Sequence, residues 1–312
     1  MRRRRQQRTQ KPHYCILVNP TAGGFNDQRV SELITAIRAI DGQYTVIKPD
    51  SAQRAWVMAR TTVGLRRSRK PLPTAVARRG KVTAIVACGG DGTFNMAARL
   101  AAEAEIPIGM VPMGRANNIA VSLLGSDKPN FEPIIKGNYR KVDIGRAGKY
   151  SFFGSVGVGF IPSLAEHMAD RKPPRFSIGW SRLGNRAAAD VGVNRITIKI
   201  DRFIFEVSPL MLNVNLLPYS GCLPLSPASI ADDGQAEVIF DQGKQMGEFG
   251  AFTRQIARGK YVYGEDIQLY RGRVIHLSPV AGRKLYIDGD LVESPDNELP
   301  IDITEKAVQV FC

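Results

Sequence analysis

KVTAIVACGGDGTFNMAARL, from Lys81 to Leu100, decides how the rest of the chain is read. Val82 to Cys88 is a short apolar, β-branched run, the pattern of a strand buried on both faces of a parallel sheet. Phe94 to Leu100 carries the residues of a helix. Between them lie three glycines, one acid and one hydroxyl, Gly89-Gly90-Asp91-Gly92-Thr93. Glycine lets the backbone come close to a ligand, so that successive N–H groups converge on an anion. The positive end of the following helix points at the same spot. The stretch therefore reads as a phosphate-handling loop, although it matches neither GxxxxGK[ST] nor GxGxxG.

Working outward, His13 to Asn19 is another buried strand, ending in Asn19-Pro20-Thr21-Ala22-Gly23-Gly24. Val30, Leu33, Ile34, Ile37 and Ile40 recur at helical spacing behind Asn26 or Asp27 as cap. A short strand at 44–47 and a helix at 51–60 follow. After the central motif come a strand at 106–111, the loop Pro112 to Asn118 and a helix at 119–124. This alternation implies a mostly parallel, doubly wound sheet covered on both faces. Ligands of such sheets bind at the carboxyl ends of the strands, where three small or polar loops now gather. The expected fold is thus α/β. An α/β nucleotide-binding domain spans 13–141, and a mostly antiparallel, β-rich domain spans 142–312, its last strand free to return to the first. In the second part helical periodicity thins and short β-rich runs dominate, with Asp201-Arg202 as a tight turn and a helix near 245–258 stopped by Gly259.

The 312 residues carry a net charge of +14, and that charge is localised. Six cations and no acid fall in 1–11; eight cations and no acid fall in 60–81. The remainder balances. Residues 1–12 read as a basic disordered tail and 60–81 as a basic insertion. Such segments suit an anionic membrane surface, each Lys or Arg adding about 1 kcal/mol of attraction. A solvated tail and loop is the plain alternative. Nucleic acid is the weaker one, because no basic and aromatic interleaving or recognised motif accompanies the charge. The four cysteines show no metal spacing and read as reduced thiols. No secretory signal is visible, and the longest uncharged run, 207–231, contains four prolines, which excludes a lipid-exposed helix. A cytoplasmic, peripherally membrane-associated protein is expected.

These residues resemble a known family. GGDGT after a buried strand is the signature of diacylglycerol, sphingosine, ceramide and NAD kinases. Asn19 to Gly23 is similar to the family's NPxSG, Pro112 to Ala120 to its PxGTxNxxA, Gly157 to Phe160 to the glycine-rich strand opening the second domain, Pro227 to Gly234 to PxAxxxDG, and Asp288-Gly289-Asp290 to the late DGE. The lipid-kinase branch fits better than NAD kinase, since no Asn-Glu motif follows GGDGT at the usual distance. The resemblance implies transfer of the ATP γ-phosphate to a lipid hydroxyl such as that of diacylglycerol, with ATP and Mg²⁺ as cofactors. It assigns Asp288 as general base, with a hairpin turn as the alternative. Gly89, Gly90, Gly92 and Thr93 would cradle the phosphates, and Asn19, Thr21, Gly114, Arg115 and Asn117 would complete the nucleotide crevice. Asp91 would hold catalytic Mg²⁺ or else order its own loop. Asp233 would belong to a structural metal site or to a turn. The uncharged stretch 151–165 would line an acyl cleft or be ordinary core.

Two positions depart from the pattern. Arg115 stands where a small hydroxyl residue is usual, to grip a phosphate or to plug the crevice. Asp290 replaces Glu. They motivate the alternative of a catalytically impaired nucleotide- or lipid-binding member of the same family. The acceptor lipid and the oligomeric state leave no trace in the sequence.

Overall fold

The computed structural model describes residues 11–65, 81–169, 173–192, 195–242, 245–260 and 266–312. The basic segments 1–11 and 60–81 fall mostly outside these residues, as does 1–12 as a tail. In chain order the first half runs β1 (His13–Val18), α1 (Asp27–Ala39), β2 (Gln43–Ile47), α2 (Ala52–Thr62), β3 (Ala84–Gly89), α3 (Asp91–Ala104), β4 (Ile108–Pro112), α4 (Asn118–Leu124) and α5 (Glu132–Lys136). Asn26 caps α1 by accepting from the Gln28 N–H, and Ser51 caps α2 by accepting from the Arg54 N–H. Every residue of β1, β3 and β4 is buried, which is why they read as continuous apolar runs rather than alternating ones. They pair in parallel, in the order β2-β1-β3-β4.

The second half runs β5 (Tyr139–Ala147), β6 (Tyr150–Phe152), β7 (Ser155–Gly159), α6 (Phe160–Met168), α7 (Ser177–Ala189), β8 (Ile196–Ile200), β9 (Phe203–Val207), β10 (Met211–Asn215) and β11 (Ala236–Asp241). It continues with a 3₁₀ turn at Met246–Glu248, α8 (Phe249–Ile256), β12 (Ile267–Gly272), β13 (Val274–Ser278), β14 (Lys284–Ile287), β15 (Asp290–Glu293) and β16 (Leu299–Phe311). One antiparallel sheet has the order β12-β11-β10-β7-β14-β15. The fold is α/β as expected, a parallel sheet followed by a β-rich, antiparallel part.

The parallel sheet does not stop at β4. It continues through β16, β13, β8 and β9, with β5 and β6 alongside. β16 lies parallel to β4 at Val310 and Ile108 and antiparallel to β5 along most of its length. The expected boundary at 141/142 falls inside β5. The change in texture there is real, but the entering strand stays hydrogen-bonded to the last one.

Two apolar clusters cover the faces of the parallel strands, one including Leu33, Ile37 and Val86, the other Ile85, Phe94 and Leu100. A third lies between the two sheets, around Ile198, Val214, Phe240 and Ile301. A fourth packs α6, α7 and α8 on the outer face of the antiparallel sheet.

Candidate active site

The carboxyl ends of β1, β3 and β4 open onto one cleft of about 640 Å³. Its walls include Asn19, Thr21, Gly90, Gly92, Thr93, Gly114, Arg115 and Asn117 on the parallel side, and Asp288, Gly289 and Asp290 from the antiparallel sheet. The three loops and the late acidic turn therefore meet at one cleft. Gly89 closes β3 directly below, where Thr93 packs against it.

Each loop is tied to the next. The Asn19 amide donates to Thr93 Oγ1 at 3.2 Å, and Asn19 Oδ1 accepts from the Thr21 N–H and hydroxyl at 3.0 and 2.8 Å. Asn117, at φ 50° in the left-handed region, accepts from the Gly114 N–H at 2.8 Å and donates back to the Gly114 carbonyl at 3.1 Å. The central and third loops touch backbone to backbone: a Cβ on Gly114 would stand 2.6 Å from the Gly90 Cα. Only glycine fits there. The first N–H groups of α3 have no intrahelical partner, and the residues that carry them, Asp91 to Thr93, line the cleft beside the Gly90 cap.

Asp91 orders more than its own loop. Its carboxylate accepts from the Asn118 N–H at 3.0 Å and the Ile119 N–H at 3.0 Å, so it caps α4 from the start of α3. The Asn118 amide adds a longer bond at 3.4 Å and donates to the Tyr286 hydroxyl at 3.1 Å. Burial pushes the Asp91 carboxyl up to about 7, against the pull of these N–H donors and helped by the nearby charge of Asp288.

Asp288 sits at φ 48° in the turn between β14 and β15 and is 4% exposed. Oδ1 accepts from the Gly154 and Ser155 N–H groups at 2.8 and 2.9 Å. Oδ2 accepts from the Phe153 N–H at 2.6 Å and the Asn95 amide at 2.8 Å. Burial dominates these four donors, and the carboxyl is pushed up to about 6. Asp290 is exposed, and a Cβ on Gly92 would stand 3.4 Å from its Oδ2. It therefore faces the glycine loop directly across the cleft.

Arg115 lies over the first loop; a Cβ on Gly23 would come within 2.7 Å of its Cγ. Its stem thus spans the first and third loops. Asp233 is remote from the cleft. Its carboxylate accepts from the Gln235 N–H at 3.0 Å and pairs with Arg271, so the cation beside it is a guanidinium. Among the described residues no group of three or more His, Cys, Asp or Glu side chains is placed to hold a metal ion. Sequence reading passed over Asn95, Asn118, Tyr286 and the 153–155 backbone. Asn95 alone left a signal, four residues after Asp91 on the cleft-side turns of α3.

Residues 13–147 match the family model of the diacylglycerol kinase catalytic domain. Over these residues the chain resembles diacylglycerol kinases. A diacylglycerol kinase of Mycobacterium tuberculosis (strain CDC 1551 / Oshkosh) is 25% identical, covering 72% of this chain and 74% of the relative. A crystal structure of a diacylglycerol kinase from Bacillus anthracis str. Sterne has a TM-score of 0.69 at 16% identity, covering 98% of both chains. A second structure from the same organism reaches 0.74 at 18% identity, covering 97% and 98%. At those identities the structures speak for the fold alone. The family supports kinase chemistry and nucleotide use. No helix among the described residues is long and apolar enough to cross a membrane.

Proposed function

We propose that this diacylglycerol kinase-like chain transfers the γ-phosphate of ATP to a lipid hydroxyl, diacylglycerol or a related lipid alcohol, in the cleft between the glycine loop and Asp288. The observation that carries the reading is the juxtaposition of two chemically distinct walls. Converging N–H groups and glycines line one, and buried carboxylate chemistry lines the other. The phosphates rest on the Gly90–Thr93 turn, with Asn19 and Asn117 holding the flanking loops in register. The acceptor hydroxyl approaches from the β-rich side; its oxygen bonds to the γ-phosphorus, the bond to the β-phosphate oxygen breaks, and its proton passes to the Asp288 carboxylate. A carboxyl raised to about 6 still ionises at neutral pH and is a stronger base than an ordinary Asp.

Mg²⁺ would neutralise phosphate charge during transfer. Both Asp91 oxygens are already committed to N–H donors, so Asp91 alone suits a metal poorly. Exposed Asp290 beside Gly92 is the carboxylate that fits, with phosphate oxygens completing the set. Residues 1–11 and 60–81 would add attraction to an anionic membrane.

Incubation with Mg²⁺, labelled ATP and a panel of lipid alcohols tests the reading. Wild type should label one class of lipid, and Asp288→Asn should lower labelling by roughly a hundredfold or more, the usual worth of a general base. Absence of labelled lipid with wild type, or equal labelling by Asp288→Asn, would overturn it. One observation favours a second reading, a nucleotide-binding relative with impaired turnover: the Arg115 stem occupies the space between the first and third loops. A strong gain of activity in Arg115→Thr would support that one.

A further inference from the structure

Phe176 is 77% exposed and Ile178 is 61% exposed, at the N-terminal cap and first turn of α7. Burying an aromatic and a branched aliphatic side chain is favourable, and two such side chains left in water within one helix turn mark a contact surface. The inner face of α7 is different: Trp180, Gly184, Ala187 and Ala188 pack it into the core with α6 and α8.

The neighbourhood of this pair is cationic. Between 173 and 189 the chain carries Arg175, Arg182 and Arg186 and no acid; between 249 and 260 it carries Arg254, Arg258 and Lys260 and no acid. All six are exposed. Ile178, Arg182 and Arg186 follow each other at four-residue spacing, one stripe of the helix. α7 and α8 run antiparallel. Arg258 donates to the Ser177 hydroxyl at 2.7 Å, while at the other end a Cβ on Gly184 would stand 2.7 Å from the Phe249 carbonyl. The C-terminal cations of α8 therefore lie beside Phe176 and Ile178. The flanking acids, Glu248 before α8 and Asp190 after α7, sit towards the opposite end, and Asp190 is paired with His167.

We propose that the N-terminal end of α7, with the C-terminal end of α8, is a docking face for an anionic lipid surface. Phe176 and Ile178 enter the headgroup region while the surrounding arginines and Lys260 meet lipid phosphates. Apolar tips ringed by cations are the composition of an interfacial helix, whereas a nucleic-acid surface would place aliphatic Ile178 against phosphate. The face lies outside the two basic segments at 1–11 and 60–81. β7, whose first residue Ser155 donates to Asp288, runs straight into α6, which packs against α7 in the same apolar cluster.

The test is co-sedimentation of the full chain with vesicles of phosphatidylcholine, with and without phosphatidylglycerol, in the absence of ATP and diacylglycerol. Its outcome is thus independent of whether the chain is a lipid kinase. Wild type should bind the anionic vesicles and release them at high salt. Phe176→Ser/Ile178→Ser and, separately, Arg175→Glu/Arg182→Glu should each weaken binding roughly tenfold or more. Ile204→Ser, on β9 and similarly exposed at 64%, should leave it unchanged. Unchanged binding in both double variants would assign the membrane contact to the basic segments and overturn the proposal. So would absence of binding to the anionic vesicles by wild type, and a duplex-DNA affinity that the arginine variant abolishes would then assign the face to nucleic acid.

Discussion

Asp288 and Asp91 share a property that sequence alone does not assign to either: each is buried, and each ionises well above the ordinary aspartate range, near 6 and 7. The dominant cause is the same, removal of a charge from water, and the nearby Asp288 charge adds to the rise at Asp91. If Asp288 is the base, kcat/KM should climb between about pH 5 and 8, since the carboxylate must be deprotonated to act. A profile already flat above pH 5 would exclude a raised carboxyl from the rate. The stability effect has the opposite sign. A carboxyl raised in the folded state contributes stability below its ordinary value near 4, and that contribution is lost as pH rises through about 6 and 7. The site thus gains basicity at the expense of fold stability.

At the scale of loops and elements, the cleft depends on how closely two turns approach. Gly114 and Gly90 meet at backbone distance, so Gly114→Ala must push the third loop off the central one, by way of a contact too short for any real Cβ. The expected result is an ATP KM raised roughly tenfold with the fold retained, because a displacement of about 1 Å in a positioning element costs that much or more. Gly247→Ala meets nothing within 4 Å and should change neither KM nor melting temperature. An unchanged KM in Gly114→Ala would show that the two loops do not act together. The same elements show what a linear reading reaches. β1, β3, β4 and the three loops were legible, because continuous apolar runs ending in glycine have few other readings. α7 was not, because its buried face is one Trp with Gly184, Ala187 and Ala188, too small to print a hydrophobic period. Nor were the partners of Asp288. Three of its four donors are backbone N–H groups more than 130 residues away, which carry no side-chain signature.

At the scale of the whole molecule, one strand, β16, carries the parallel sheet on into the β-rich half. β16 touches β4 on one side and β13 on the other, so the parallel strands and part of the β-rich half share one hydrogen-bonded sheet. The cleft adds a second tie, the bond from Asn95 in α3 to Asp288 in the other sheet. Two halves so connected should unfold together despite their different textures. The chain carries a reporter in each: Trp56 in α2, against Arg99, and Trp180 in α7, buried in the helical cluster. With Trp180→Phe and Trp56→Phe, each leaving one tryptophan, the urea transitions should coincide in midpoint and slope, the signature of a two-state change. Ile301→Ala, fully buried on β16 between the sheets, should then lower both transitions equally, by about 2–5 kcal/mol. If the Trp180 signal moved and the Trp56 signal stayed, the parallel half would be folding on its own. β16 would then be a strand laid against it rather than the element that makes the two halves one.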